Sequence, residues 1–286
     1  MLQYLCCPGD NGTLLLHVGR EGPDGHIYDG RLTCETCGAS YPIHKGVPRL
    51  LSKNLSTSER QTQARFGFEW QWYRETGQKF GMEFWDYLKP LGEGDLRGKV
   101  VIDAGCGNGR FALEAAVAGA RDVLAVDLSD SVEVAFEAGR AVPNLHIVQG
   151  SLMALPIKGG VDVTYCVGVL HHLEDPQRGF VELVNRLAPG GRIAVWVYSA
   201  EGNEWFVRFV EPLRRCLTSK LSPSLVQVLA LPMAGILWLG ALITRGYFGK
   251  RLRLPLHNYL RFQGQFGFRY LFSLCLTSWR RRRFTM

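Results

Sequence analysis

The stretch Val100-Val-Ile-Asp-Ala-Gly-Cys-Gly-Asn-Gly-Arg110 constrains the fold of this 286-residue chain more than any other. A short β-branched run ends in Asp103, glycines stand at 105, 107 and 109, and Phe111-Ala-Leu-Glu-Ala-Ala follows. That order predicts a strand, a tight turn and a helix. Glycine is needed in the turn because only a residue without Cβ bends the chain sharply and lets a ligand lie against bare backbone. The turn is therefore expected to seat a cofactor. Spacing narrows the choice: Gly105 and Gly107 fit the dinucleotide pattern Gly-x-Gly-x-x-Gly, but Arg110 occupies its third glycine position. Hydride transfer from a nicotinamide cofactor accordingly ranks last among the activities such a turn can serve.

A second anchor is expected about 20 residues further on, at the end of the next strand, where a carboxylate can accept hydrogen bonds from both hydroxyls of a ribose. Asp127 in Val123-Leu-Ala-Val-Asp-Leu-Ser meets that expectation. The pattern Asp-x-Gly-x-Gly-x-Gly followed by this acid resembles the first motifs of class I S-adenosylmethionine-dependent methyltransferases. The resemblance implies an α/β fold with a Rossmann-like, doubly wound, mostly parallel sheet and S-adenosyl-L-methionine lying across the glycine turn. It places Asp103, Gly105, Cys106, Gly107, Asn108, Gly109, Arg110, Asp127 and Leu128 at the cofactor. The alternation of strand and helix over residues 98–200 independently predicts a parallel sheet.

A third strand, Leu145-His-Ile-Val, leads to Ser151, where the family often carries an Asp that receives the adenine amino group. Ser151 keeps an acceptor without the charge. Leu152 and Met153 offer apolar contact to the adenine face or ordinary packing between sheet and helix. The next strand, Val161–Leu170, runs into His171-His172-Leu-Glu-Asp-Pro176 and resembles the fourth motif of small-molecule methyltransferases similar to the quinone C-methyltransferases. This adds Val167 and Gly168 to the cofactor site and puts Cys166 to Leu170 along the path of the methyl group. His171 is the titratable group expected to handle a proton near neutral pH, with a purely structural role as the competing expectation. A helix over Pro176 to Leu187, stopped by Ala188-Pro-Gly-Gly191, precedes a fifth strand ending near Tyr198. The two strands that usually close this fold have no clear hairpin signal in the remaining chain.

Toward the N-terminus, Cys34-Glu-Thr-Cys37 has knuckle spacing for a tetrahedral metal. Upstream stand Cys6, Cys7, Pro8, Gly9 and Asp10; aligned on the proline, Cys7 and Asp10 complete a Cys3Asp set for structural zinc. Asp10 is alternatively a turn residue of a site that has lost its metal. Residues 1–55 resemble the zinc-ribbon domain related to the activator subunit of certain tRNA and protein methyltransferases, with a similar ending in Tyr41-Pro-Ile-His-Lys-Gly-Val-Pro-Arg-Leu-Leu51. His17 and His26 lack ligand spacing and are expected to be solvated or satisfied.

The chain thus divides into a zinc-ribbon-like β domain (1–55), a helical aromatic lid or linker (56–90), the cofactor domain (91–200) and a hydrophobic, basic helical region (201–286). In the second segment Phe66, Trp70 and Tyr73, then Phe80, Phe84 and Leu88, recur at helical spacing. They form a packing stripe or a lid that excludes water. The net charge of +7 is a property of the last segment, where 14 Lys and Arg face three Glu. That balance suits an anionic membrane surface or RNA equally. Leu225 to Thr244 carries no charge and is long enough to span a bilayer. Pro232 favours two helices broken there, capping the substrate side or resting on a membrane through residues 225–253. The N-terminus has no secretory signal pattern, which suggests a cytoplasmic protein whose eight cysteines are metal ligands or buried thiols. The favoured function is methyl transfer to a small apolar or aromatic acceptor. An RNA acceptor, with nucleic acid as the less favoured partner, and a non-catalytic cofactor-binding scaffold are the alternatives.

Overall fold

In the computed structural model, described for residues 1–52, 55–72, 81–197, 223–245, 267–268 and 271–272, the N-terminal apolar runs form an antiparallel meander. Its strands are β1 (Leu14–Glu21), β2 (Ile27–Cys34), β3 (Ser40–His44) and β4 (Val47–Leu50). Helices α1 (Thr57–Trp72), α2 (Gly81–Leu88) and α3 (Glu93–Leu96) follow. The alternating part then runs β5 (Val100–Ala104), α4 (Arg110–Val117), β6 (Asp122–Asp127), α5 (Val132–Gly139), β7 (Leu145–Gly150), β8 (Val161–Val167), α6 (Pro176–Val184) and β9 (Leu187–Trp196). All five of these strands pair in parallel, in the order β7-β6-β5-β8-β9. Every residue of β5 is buried, as its unbroken apolar run requires for a central parallel strand.

The expected boundary at residue 55 is not a structural one. β4 pairs in parallel with β7 through Arg49 opposite Gln149 and Leu50 opposite Gly150, so the meander continues one nine-stranded sheet. Leu5, Leu14, Leu32 and Ile43 belong to the same core as Leu124, Val126, Val148 and Leu155, and Met1–Tyr198 form one compact unit. A segment of about 50 residues buries too little surface to stand alone, and sharing a core with its neighbour solves that.

Two further boundaries differ from the sequence reading. α6 starts as expected, with Pro176 in its first turn and the Asp175 carboxylate accepting from the Arg178 amide at 2.9 Å, but it ends at Val184. β9 already begins at Leu187, opposite Val161, and pairing resumes with Arg192 opposite Val163. Ala188 to Gly191 therefore form an irregularity inside the strand, with Gly190 at φ +78°, and do not act as a helix stop. In the second unit, α7 (Pro223–Arg245) is one helix with Pro232 inside it, and the expected break is absent. The helix continues through the proline although that residue donates no N–H to it. Among the described residues no helix is long and apolar enough to cross a membrane. Ala230 and Ala234 pack with Met233, Leu237 and Phe272, while Leu225, Ile236 and Leu239 are exposed. Tyr198 and the search for closing strands lie outside the described residues, as do the side chains of Phe66, Trp70, Tyr73 and Phe80.

The second half of the aromatic stripe is core. Phe84 and Leu88 of α2 are fully buried, and the Phe84 ring meets Phe111 at 5.6 Å and Tyr165 at 5.4 Å. α2 thereby ties the segment before the sheet to both the glycine turn's helix and β8. Phe84→Ala should lower the unfolding free energy by about 3–5 kcal/mol, the range for aromatic truncation in a closed core. Val117→Ala, at an exposed site, should stay within about 0.5 kcal/mol. Urea denaturation of both variants checks the contrast.

Candidate active site

The turn after β5 is left-handed three times over, with Gly105 at φ +86°, Gly107 at +55° and Gly109 at +80°. Space excludes side chains as well: a Cβ on Gly105 would lie 2.4 Å from Val169 Cγ2, and one on Gly109 would lie 2.9 Å from Ala135 Cβ. Asp127 at the end of β6 faces this turn. Its Oδ2 accepts from the Gly107 amide at 2.9 Å, and its Oδ1 accepts from the Ser129 amide at 2.8 Å and hydroxyl at 2.7 Å.

Gly105, Asp127, Leu128, Ser151, Leu152, Met153, Val167 and Gly168 line a single cavity of about 120 Å³, at the carboxyl ends of β5, β6, β7 and β8. These residues come from four separate stretches of the sequence reading, and the fold brings them together. A larger cavity of about 280 Å³ lies between the N-terminal strands and α5, lined by Leu16, Ile27, Ile43, Phe136 and Leu145. It includes no residue of the turn, and its two histidines are already engaged, His26 by the Arg140 carbonyl and His146 by Asp122.

The other proposed cofactor residues stand behind the wall. Asn108 is buried and its Oδ1 accepts from the Arg110 amide at 3.3 Å. The Cys106 thiol is buried, and burial pushes its pKa well up, so it is no nucleophile. Arg110 does not reach the cavity: its guanidinium pairs with Glu83 of α2 at 3.2 Å and lies 4.4 Å over the Phe111 ring. Glu83, 1 % exposed, also accepts from the Tyr87 hydroxyl at 3.1 Å. Position 110 thus locks α2 to α4, a role its charge and length suit and that its place in the motif did not disclose.

His171 and His172 share a short 3-10 turn over Leu170–His172, with ring centroids 4.1 Å apart. His172 lines the cavity and His171 does not. Successive residues of a 3-10 turn point about 120° apart, so only one of the pair can face the wall. The imidazole available to a bound acceptor is that of His172. The first turns of α1 add Ser58, Glu59, Thr62 and Gln63 to the lining. Their local signal was legible as a capping box: Ser56 Oγ accepts from the Glu59 amide at 3.1 Å, and Glu59 Oε2 accepts from the Ser56 amide at 2.9 Å. Its location was not, because Glu59 meets Ser151, 92 residues away, through a 2.5 Å bond from the Ser151 hydroxyl.

At the N-terminus the donor atoms of Cys7, Asp10, Cys34 and Cys37 all lie within 4.8 Å of one another. Cys7 Sγ is 3.7 Å from Cys37 Sγ, and Cys34 Sγ is 3.3 Å from Asp10 Oδ1. Gly9 donates its amide to Cys7 Sγ at 3.4 Å, and a Cβ on Gly12 would come within 2.8 Å of Cys34 Sγ. Three thiols and a carboxylate so arranged fit a tetrahedral zinc ion. Cys6 turns away toward Asn11 Oδ1, at 3.7 Å. His26 is satisfied by the Arg140 carbonyl at 2.9 Å and His17 is exposed, so neither joins the cluster.

Asp103 is 3 % exposed beneath the turn, and its Oδ2 has no hydrogen-bond partner among the described residues. Burial pushes its carboxyl up to about 8, reinforced by the Asp127 charge and opposed by the Tyr165 hydroxyl and the Arg110 charge. An unfolded Asp titrates near 3.9, so between about pH 4 and 8 the folded protein holds a proton the unfolded chain has released. Stability contributed by this group is therefore present at low pH and lost as pH rises, by up to about 1.4 kcal/mol per pH unit. Thermal melts between pH 5 and 8.5 should show the wild type falling relative to Asp103→Asn, which lacks that proton exchange. Parallel curves would exclude a buried neutral Asp103.

Residues 102–195 match the family model of the methyltransferase domain. An uncharacterised protein of Synechococcus sp. is 33% identical over 143 residues, covering 48% of this chain and 32% of that protein. A tRNA U34 carboxymethyltransferase of Vibrio cholerae is 30% identical over 124 residues, covering 42% of this chain and 38% of that protein. The chain thus spans about a third of the length of these curated relatives. Among solved structures, an S-adenosylmethionine-dependent methyltransferase from Mesorhizobium loti is 28% identical with a TM-score of 0.35, covering 42% of this chain and 52% of that one. The family match over residues 102–195 takes in both the glycine turn and the acid clamped to it, so this part of the chain is similar to a methyltransferase domain.

Proposed function

We propose that this protein transfers a methyl group from S-adenosylmethionine to a small apolar or aromatic acceptor. The observation that carries the reading is the Asp127 carboxylate, which is fixed on the Gly107 amide at 2.9 Å and lines the cavity beside the bare backbone of Gly105. When bound, the cofactor supplies a methyl carbon already activated by a positive sulfur, so the protein's task is placement and exclusion of water. After the bonds from Ser129 to Oδ1 and from Gly107 to Oδ2, Asp127 Oδ2 keeps one acceptor site for a ribose hydroxyl. Leu128, Leu152 and Met153 offer apolar surface to a purine, and Val167 to Val169 bound the side toward His172. The His172 imidazole can accept a proton from an acceptor oxygen or an acidic carbon. Val169 and Leu173, on the wall beside His172, favour an apolar acceptor.

An RNA acceptor is the second reading, supported by the name of the Vibrio cholerae relative and by the 14 Lys and Arg of residues 201–286. Calorimetry should show binding of S-adenosylhomocysteine to the wild type and a loss of at least about tenfold for Asp127→Ala, the weight of hydrogen bonds to a charged group. Absence of heat from the wild type would sink the reading. RNA binding that weakens steeply with salt would move the acceptor to the second class.

The Cys7, Asp10, Cys34 and Cys37 cluster is read as a structural zinc site. Atomic absorption should find one zinc per chain, removed by Cys34→Ser with a lower melting temperature. Metal-free protein with an unchanged melt on zinc addition would refute it.

A further inference from the structure

We propose that Glu59, in the first turn of α1, receives the exocyclic amino group of the cofactor's adenine, a role that rests on the cofactor reading above. The strand ends decide where the base lies. With the sugar at Asp127 after β6, the remaining two parts of the cofactor extend to either side. The turn after β5, with its free backbone, suits the amino acid end. The end of β7, on the other side of β6, carries Leu152 and Met153 and suits the purine.

At that end the cavity's polar edge is Ser151 together with Glu59. The Ser151 hydroxyl donates its one proton to Glu59 Oε1 at 2.5 Å and accepts from the Met153 amide at 3.1 Å. The serine is thus largely engaged. Glu59 accepts one bond on each oxygen, from Ser151 on Oε1 and from the Ser56 amide at 2.9 Å on Oε2. A carboxylate has about four acceptor sites, so two remain on a group that lines the cavity. An amino group needs such an acceptor and a 6-oxo group is repelled by it. The other carboxylates on the described walls, Asp127 and Glu174, follow β6 and the turn after β8. Of these three described wall carboxylates, Glu59 is the one bonded to Ser151 beyond the end of β7.

The arrangement is built. The capping box holds the Glu59 side chain at the helix start, and the pairing of Leu50 with Gly150 brings the chain to the end of β7 seven residues before α1 begins. α1 therefore supplies the charge that Ser151 lacks.

The test is calorimetric competition between S-adenosylhomocysteine and its deaminated analogue, S-inosylhomocysteine. The wild type should prefer the adenosyl compound by at least about tenfold, as expected for a hydrogen bond to a charged acceptor. Glu59→Gln should lower that preference and Glu59→Ala should bring it close to one. Ser56→Ala, which removes the hydroxyl cap and leaves the carboxylate, should lower stability and keep the preference. An unchanged preference in Glu59→Ala would overturn the proposal while leaving the cofactor site intact. Equal loss in Ser56→Ala would overturn it too, by making Glu59 a helix cap alone. A wild type that binds neither compound would remove the cofactor reading and this proposal with it.

Discussion

The bond from the Gly107 amide to the Asp127 carboxylate is the constraint on which the site depends. Three left-handed glycines at alternate positions leave a loop that is costly to order, because glycine loses more backbone freedom than any other residue. Asp127 offsets that cost by joining the loop after β5 to the end of β6, while Ser129 occupies the opposite oxygen. The acid that would hold the sugar is therefore also the part that shapes the turn. Its geometry is set before any ligand arrives, which is what a placement enzyme requires.

The sheet extends that logic outward. β4 covers the free edge of β7, a position where an exposed strand invites unwanted pairing. Arg49 fastens the junction, reaching Gln149 at 3.0 Å and Glu133 of α5 at 2.9 Å. The N-terminal β segment is thus both edge protection and the anchor from which α1 departs over the cavity. On the other side, the buried Glu83–Arg110 pair and the Phe84 ring join α2 to α4 and β8. Further contacts, Asp95 with Arg192 and Tyr87 with Trp196, hold the same segments to β9.

Much of this was legible locally. The parallel strands, the glycine turn, Asp127 and the capping box each follow from neighbours within a few residues. Cys7 and Asp10 were chosen over Cys6 by alignment on Pro8, and the structure brings their side chains to Cys34 and Cys37. Arg110, His171 and Ala188 to Gly191 were misjudged because each was assigned from its place in a local pattern. The arginine and the strand take their surroundings from residues far along the chain, Glu83 for the first and Val161 and Val163 for the second, while the histidine's direction is set by how its 3-10 turn lies against the cavity.

The sequence by itself determined the fold class, the chain's turn and the acid at the end of the next strand, because glycine at positive φ and β-branched runs act through short-range sterics and hydrophobic patterning. Only the tertiary structure decided that the N-terminal strands join the same sheet, that His172 and not His171 faces the cavity, and that Glu59 meets Ser151. Those outcomes depend on register and on which surfaces must share a core, and such pairings between distant segments leave no mark in the local pattern of residues.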